Sequence, residues 1–161
     1  MTQTVTHSLA AKYYTDPEVF RIEQDGLLAR TWQFAGHSSQ LENIGDYFAF
    51  EMAGESLFCI KGRDEVIRTF YNVCQHRAHQ LVSGTGTTRV VVCPYHAWTY
   101  ELTGGLRAGP NINAVEGFDK SKICLTEVRT ELFLGFVFVN LDQNAKPMDD
   151  WFPNARVELT Q

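Results

Sequence analysis

The sequence predicts a mainly β fold carrying one N-terminal helix. Short runs rich in β-branched and aromatic residues recur between turn residues from position 41 onward. Ahead of them stands a single helix start, Asp16-Pro17-Glu18, with Asp as N-cap, Pro at the first helical position and an acid in the first turn.

The elements follow in order. Residues 1–14 show no clear period and read as an arm. A helix is expected from Pro17 to about Thr31, with Val19, Phe20, Ile22, Leu27 and Leu28 as packing residues. Residues 1–40 thus form arm and helix, and residues 41–142 form the β domain. In that domain "YFAFEMA", "SLFCIK" and "EVIRTFYN" are separated by Ala53-Gly54-Glu55 and Gly62-Arg63-Asp64. "TRVVVC", "AWTYEL", "CLTEVRTEL" and "LGFVFVNL" continue the pattern. Ser83-Gly84-Thr85-Gly86-Thr87 reads as a turn that brings strands back together. Residues 143–161 carry Pro147 and Pro153 and read as a linker.

Composition bounds the function. With 161 residues, 44% hydrophobic and 20% charged, the chain can bury a globular core. No run approaches the length of a membrane span. The first twenty residues hold no apolar signal segment, which points to the cytoplasm. A formal charge of −5 argues against nucleic acid as a main partner. The charge is uneven: residues 61–107 hold six basic and three acidic side chains, against a strongly acidic remainder. That basic stretch reads either as ordinary surface scatter or as a docking face for an acidic partner.

The basic stretch also holds two matched pairs, Cys74-x-His76 and Cys93-x-x-His96, each at the end of a strand-like run. The other two cysteines, Cys59 and Cys124, sit in strand patterns and read as buried thiols. His7 reads as a surface residue, His37 and His79 as structural. Zinc would accept two Cys and two His. The usual finger, however, pairs Cys with Cys and His with His, whereas each loop here carries one of each. That suits a two-iron cluster with both Cys on one iron and both His on the other.

"CQHRAHQLVSGTGTTRVVVCPYHAWTY" resembles the Rieske motif C-x-H…C-x-x-H, with the spacing of ring-hydroxylating oxygenase α subunits. "DPEVFRIEQDGLLARTWQFAGH" is similar to the helix and Trp-containing segment that precede the Rieske domain in those subunits, and "CPYHAWTYELTGGL" to their second cluster loop. Respiratory-type Rieske proteins add a Cys to each loop and place a Ser two residues after the second His. Here Arg77, Ala78 and His79 follow the first His, Tyr95 lies inside the second pair, and Trp98 takes the Ser position. Tyr100 stands where their Tyr does.

The resemblance implies three small antiparallel sheets with a [2Fe-2S] cluster at the tip. Its ligands would be Cys74, His76, Cys93 and His96, supported by Arg77, Tyr95, Trp98 and Tyr100, with Trp98 packing beneath the cluster. The function implied is one-electron transfer from a reductase or ferredoxin to a mononuclear Fe(II) in a separate catalytic domain, for O2-dependent mono- or dioxygenation. In the family that iron often belongs to a neighbouring subunit of a trimer. The second loop most resembles oxygenases acting on aromatic acids or quaternary amines. A stand-alone Rieske ferredoxin and a zinc-stabilised interaction module are the alternatives; the helical arm speaks against the first of these.

Overall fold

A computed structural model describes residues 8–114 and 116–159. His7, expected at the surface, lies outside the described residues. Ten strands form. Seven build one curled sheet, in the order β1 (Gln33–His37), β10 (Phe136–Asn140), β9 (Glu127–Phe133), β4 (Ile67–Tyr71), β3 (Glu55–Lys61), β2 (Asp46–Met52) and β5 (Thr85–Thr87). The pairings are antiparallel. β4 and β9 share only two residue pairs, Thr69 with Val128 and Phe70 with Glu127, so the sheet has two parts joined at that seam. A separate antiparallel sheet holds β6 (Val91–Val92), β7 (Thr99–Tyr100) and β8 (Leu106–Ala108). The mainly β fold and its small curled sheets are as expected.

β3 explains how the parts pack. Side chains alternate across a strand, and in β3 both alternating sets are buried. Leu57 lies in one cluster with Val128 and Val139, and Cys59 in another with Leu41, Phe48 and Val137. Phe58 and Ile60 join Phe70, Leu81, Val91, Trp98 and Tyr100 on the other side, and that cluster also contains Cys74 and Cys93. The core beneath the two Cys/His loops is therefore continuous with the back of the long sheet.

Several elements differ from the sequence reading. The helix α2 spans Pro17–Gly26 and gives way to a 3-10 turn at Leu28–Arg30, short of Thr31. Asp16 caps it, its side chain accepting from Glu18 N. Phe20, Ile22 and Leu27 remain exposed rather than packed. Residues two apart project to different sides of a helix, so Phe20 and Ile22 never share one apolar face. A short helix, α1 (Lys12–Thr15), precedes it. Thr85–Thr87 is no hairpin turn but an edge strand on Asp46–Phe48. β6 and β7 are only two residues long, because the Cys93 N–H bonds to Trp98 O and closes a loop instead of extending the ladder.

β1 and β8 form where no strand was expected. β1 depends on Gly36, since a Cβ there would lie 2.7 Å from both Phe48 Cζ and Gln40 Oε1. Cys124 is exposed, not buried, and sits in an isolated bridge to Gly105 ahead of β9. The segment after Asp142 carries α3 (Met148–Trp151) and α4 (Ala155–Leu159). Trp32 Nε1 donates to Lys146 O at 2.9 Å and Met148 N to Glu131 Oε2 at 2.9 Å, tying this segment to the sheet.

Candidate metal centre

The two Cys/His loops repeat one backbone device. In the first, Ala78 N–H donates to Cys74 O and Cys74 N–H to His79 O, both at 2.9 Å. In the second, Ala97 N–H donates to Cys93 O at 2.9 Å and Cys93 N–H to Trp98 O at 2.8 Å. Each turn closes through an alanine in the left-handed region, Ala78 at φ 53° and Ala97 at φ 55°. The matched turns bury Cys74 and Cys93, each 2% exposed, and leave His76 exposed and His96 half-buried. Asn72, itself buried, pins the exit of the first loop. Its side chain accepts from Leu81 N and Val82 N and donates to Val82 O.

The imidazoles of His76 and His96 meet edge to face, with ring centres 4.8 Å apart. Trp98 is buried and stacks on His76 at 4.7 Å with an interplanar angle of 11°. Tyr95, exposed, lies over His96 at 3.7 Å, and His79 in turn lies 5.5 Å from Tyr95. Tyr100 is fully buried; its Oη lies 3.2 Å from Cys74 Sγ and accepts from Gln75 N at 3.0 Å. Burial pushes its phenol pKa up, and the thiols of Cys74 and Cys93 add to the rise. The phenol therefore stays protonated and can donate toward sulfur.

Nδ1 of His96 is buried and has no hydrogen-bond partner, the one such side-chain atom among the described residues. A buried polar nitrogen left alone is costly, and a metal bond would satisfy it. Desolvation of that ring, with His76, Arg77 and His79 nearby, holds its pKa below the ordinary histidine value, which favours the neutral form that metals bind. The two imidazoles meet at 4.8 Å, and the two thiols share one buried cluster, a donor set that fits a binuclear cluster.

The remaining sites stand apart. Cys59 is buried in β3 against Thr69 Oγ1 at 3.0 Å, and burial raises its pKa to about 12, so it is an inert thiol. His37 caps a 3-10 turn by accepting from Ser39 N. His79, read as structural, shapes the first loop through its carbonyl, although its ring also borders Tyr95. Arg77 is exposed beside the tip, and Arg107 is exposed and 3.6 Å from Glu101. Sequence reasoning missed Ala78, Ala97 and Asn72. No residue-type signal marks an alanine that must adopt positive φ.

A mainly β domain with one Cys and one His on each of two matched loops has the make-up of an iron–sulfur protein. The chain is a member of the Rieske family: the model of the Rieske [2Fe-2S] domain matches residues 31–119. It is 45% identical over 155 residues to the carnitine monooxygenase oxygenase subunit of Escherichia coli (strain K12), covering 96% of this chain and 41% of that protein. It is 37% identical over 154 residues to the 2-aminobenzenesulfonate 2,3-dioxygenase subunit alpha of an Alcaligenes species, covering 93% of this chain and 39% of that protein. Among solved structures, a quaternary ammonium Rieske monooxygenase described for carnitine oxidation and inter-subunit electron transfer superposes with a TM-score of 0.87 at 40% identity, covering 93% of this chain and 41% of that one. The chain thus spans about two fifths of the length of these relatives. Family membership decides against the zinc-module reading, and the homologues are oxygenase subunits rather than stand-alone ferredoxins.

Proposed function

We propose that Cys74 and Cys93 hold one iron of a [2Fe-2S] cluster and His76 and His96 the other. We further propose that the chain is the electron-transfer part of an oxygenase α subunit. The carrying observation is the pair of matched loops, with the unpartnered Nδ1 of His96 turned inward beside His76. When bound, the cluster supplies reversible one-electron transfer, at a potential raised by two neutral imidazoles in place of two thiolates. The protein does the rest. The left-handed alanines fix the loop shape, the core under Cys74 and Cys93 excludes water, and Tyr100 offers a proton toward Cys74 Sγ. With Nδ1 on the inner side, each imidazole would keep an N–H at Nε2 facing the docking partner.

In this reading a reductase or ferredoxin delivers electrons singly, and they pass to a mononuclear iron in a catalytic domain of the same or a neighbouring subunit of a trimer. The basic flank with Arg77 and Arg107 suits an acidic docking partner. The higher identity to the carnitine enzyme favours a quaternary ammonium substrate and monooxygenation. The 2-aminobenzenesulfonate relative supports a second reading, an aromatic substrate and dioxygenation. No helix among the described residues is long and apolar enough to cross a membrane. Four unbridged cysteines suit a reducing compartment such as the cytoplasm. Iron and acid-labile sulfide analysis with EPR of the reduced protein tests the cluster assignment. About two irons and two sulfides with a rhombic signal are expected; one metal without sulfide would refute it.

A further inference from the structure

The two imidazoles are not equivalent. His96 is overlaid by Tyr95, an exposed ring. His76 lies flat on Trp98, and Trp98 is held from outside both ligand loops. Phe118 meets the indole edge to face at 6.0 Å. Gly109 lies so close that a Cβ there would stand 2.8 Å from Trp98 Cδ1, 3.0 Å from its Nε1 and 3.2 Å from Ile112 Cγ2. Ile112 is buried, and Lys120 Nζ donates to Arg107 O at 3.0 Å, bracing the chain just before Gly109. A cavity of about 520 Å³ opens beside this stack, lined in part by His76, His96, Trp98, Pro110, Ile112 and Phe118.

We infer that Gly109 and Phe118 are positioning residues that act through Trp98 to fix the plane of the exposed His76 imidazole and to keep water from the face it turns to the indole. This inference rests on the assignment of His76 as a ligand. Stacked rings attract and exclude water between them. A side chain at Gly109 would move the indole, because the clash is with the rigid ring rather than with a flexible tip. Water would then reach the face of His76 that the indole covers. The reduced cluster carries one more negative charge than the oxidised one, and solvent favours the more charged state. Disturbing the stack should therefore raise the midpoint potential.

The test compares the unaltered chain, loaded with its cluster, with Gly109→Ala, Phe118→Ala and the conservative Phe118→Tyr. Gly109→Ala and Phe118→Ala should keep iron and sulfide but raise the midpoint. A tenfold change in the one-electron equilibrium, about 59 mV, is the scale expected. Phe118→Tyr should stay near the parent. The second measurement is NMR of the metal-free chain, where the His76 ring protons should carry an upfield ring-current shift from Trp98. That shift should shrink in Gly109→Ala and Phe118→Ala, while His96 moves less. If the parent binds no iron–sulfur cluster, the ligand assignment fails. If it does, but potential and EPR stay unchanged in both variants, the positioning role fails alone. If either variant loses the cluster, the NMR shifts decide, and unmoved His76 resonances overturn the inference.

Discussion

Tyr100 Oη lies 3.2 Å from Cys74 Sγ, inside the core that links the two Cys/His loops. The same oxygen accepts from Gln75 N, so its single proton is free to point at sulfur. A donor to a ligand sulfur stabilises the reduced cluster more than the oxidised one, because reduction adds negative charge. Tyr100→Phe should therefore assemble its cluster and lower the potential. A charge-assisted bond is worth about 1.5–3 kcal/mol and only part of it differs between oxidation states, so a fall of about 30–60 mV is expected. Film voltammetry measures it, and an unchanged potential would remove Tyr100 from this role.

Replacing an imidazole with a thiolate tests the ligand assignment itself. His76→Cys or His96→Cys, where a cluster still assembles, adds negative charge at the second iron. The potential should drop by on the order of 100 mV, toward that of all-thiolate clusters. Cys59→Ser and Cys124→Ser should leave it nearly unchanged, since Cys59 bonds Thr69 and Cys124 is exposed at the Gly105 bridge. Cluster loss in either serine variant with the fold intact would show that the ligands were misassigned.

How much of this was legible in the sequence depends on where each signal lives. The two Cys/His pairs are local in sequence, so their spacing is visible there. β3 was equally visible, because a short apolar run bounded by turn residues has strand length, although burial on both sides leaves it no alternation. β1 was not: "QFAGH" becomes a strand only by pairing with β10, about a hundred residues away, and Gly36 is needed for contact with Phe48. Phe20, Ile22 and Leu27 were expected to pack because they are apolar, but their burial depends on a partner surface that a single segment cannot reveal. The hold of Gly109 on Trp98 is likewise a through-space relation with no periodic trace.

The pH dependence of stability should carry a mark from Asp64. The Arg68 guanidinium donates to both its oxygens, and these bonds lower the carboxyl pKa from an ordinary 3.8 to about 2. The folded pKa is depressed, so the contribution is fully present above about pH 4 and is lost as pH falls through about 2. The Asp64→Asn variant should lack that part of the slope. Urea unfolding of both proteins between these limits measures the difference, and parallel curves would contradict it.

Electron delivery should depend on the basic flank. Arg77 is exposed next to the histidines, while Arg107 is partly offset by Glu101. Arg77→Glu should slow reduction by the donor several-fold at low ionic strength, and Arg107→Glu less. Both effects should shrink as salt screens them. Stopped-flow reduction across a salt series is the measurement. Equal rates in all three proteins would dismiss the docking face without touching the cluster assignment.

The twin turns should be intolerant of branching at two specific alanines. Ala78 and Ala97 sit at φ 53° and 55°, where a β-branched side chain is a true outlier. Each turn also depends on its own closing bonds, Ala78 N to Cys74 O and Ala97 N to Cys93 O, which shape the backbone around a buried cysteine. Ala78→Val and Ala97→Val should therefore destabilise the chain by about 1–3 kcal/mol and lower cluster occupancy. Ala78→Gly and Ala97→Gly should not, because glycine adopts this conformation without steric cost. An alanine that mattered only for its small size would show the opposite ordering in a packing sense. Ala→Ser, nearly as small, would then be harmless and Ala→Gly would leave a gap. Iron content and thermal unfolding of the glycine, serine and valine variants separate the two accounts. Valine variants with full occupancy and unchanged stability would show that the loops can close without the left-handed turn.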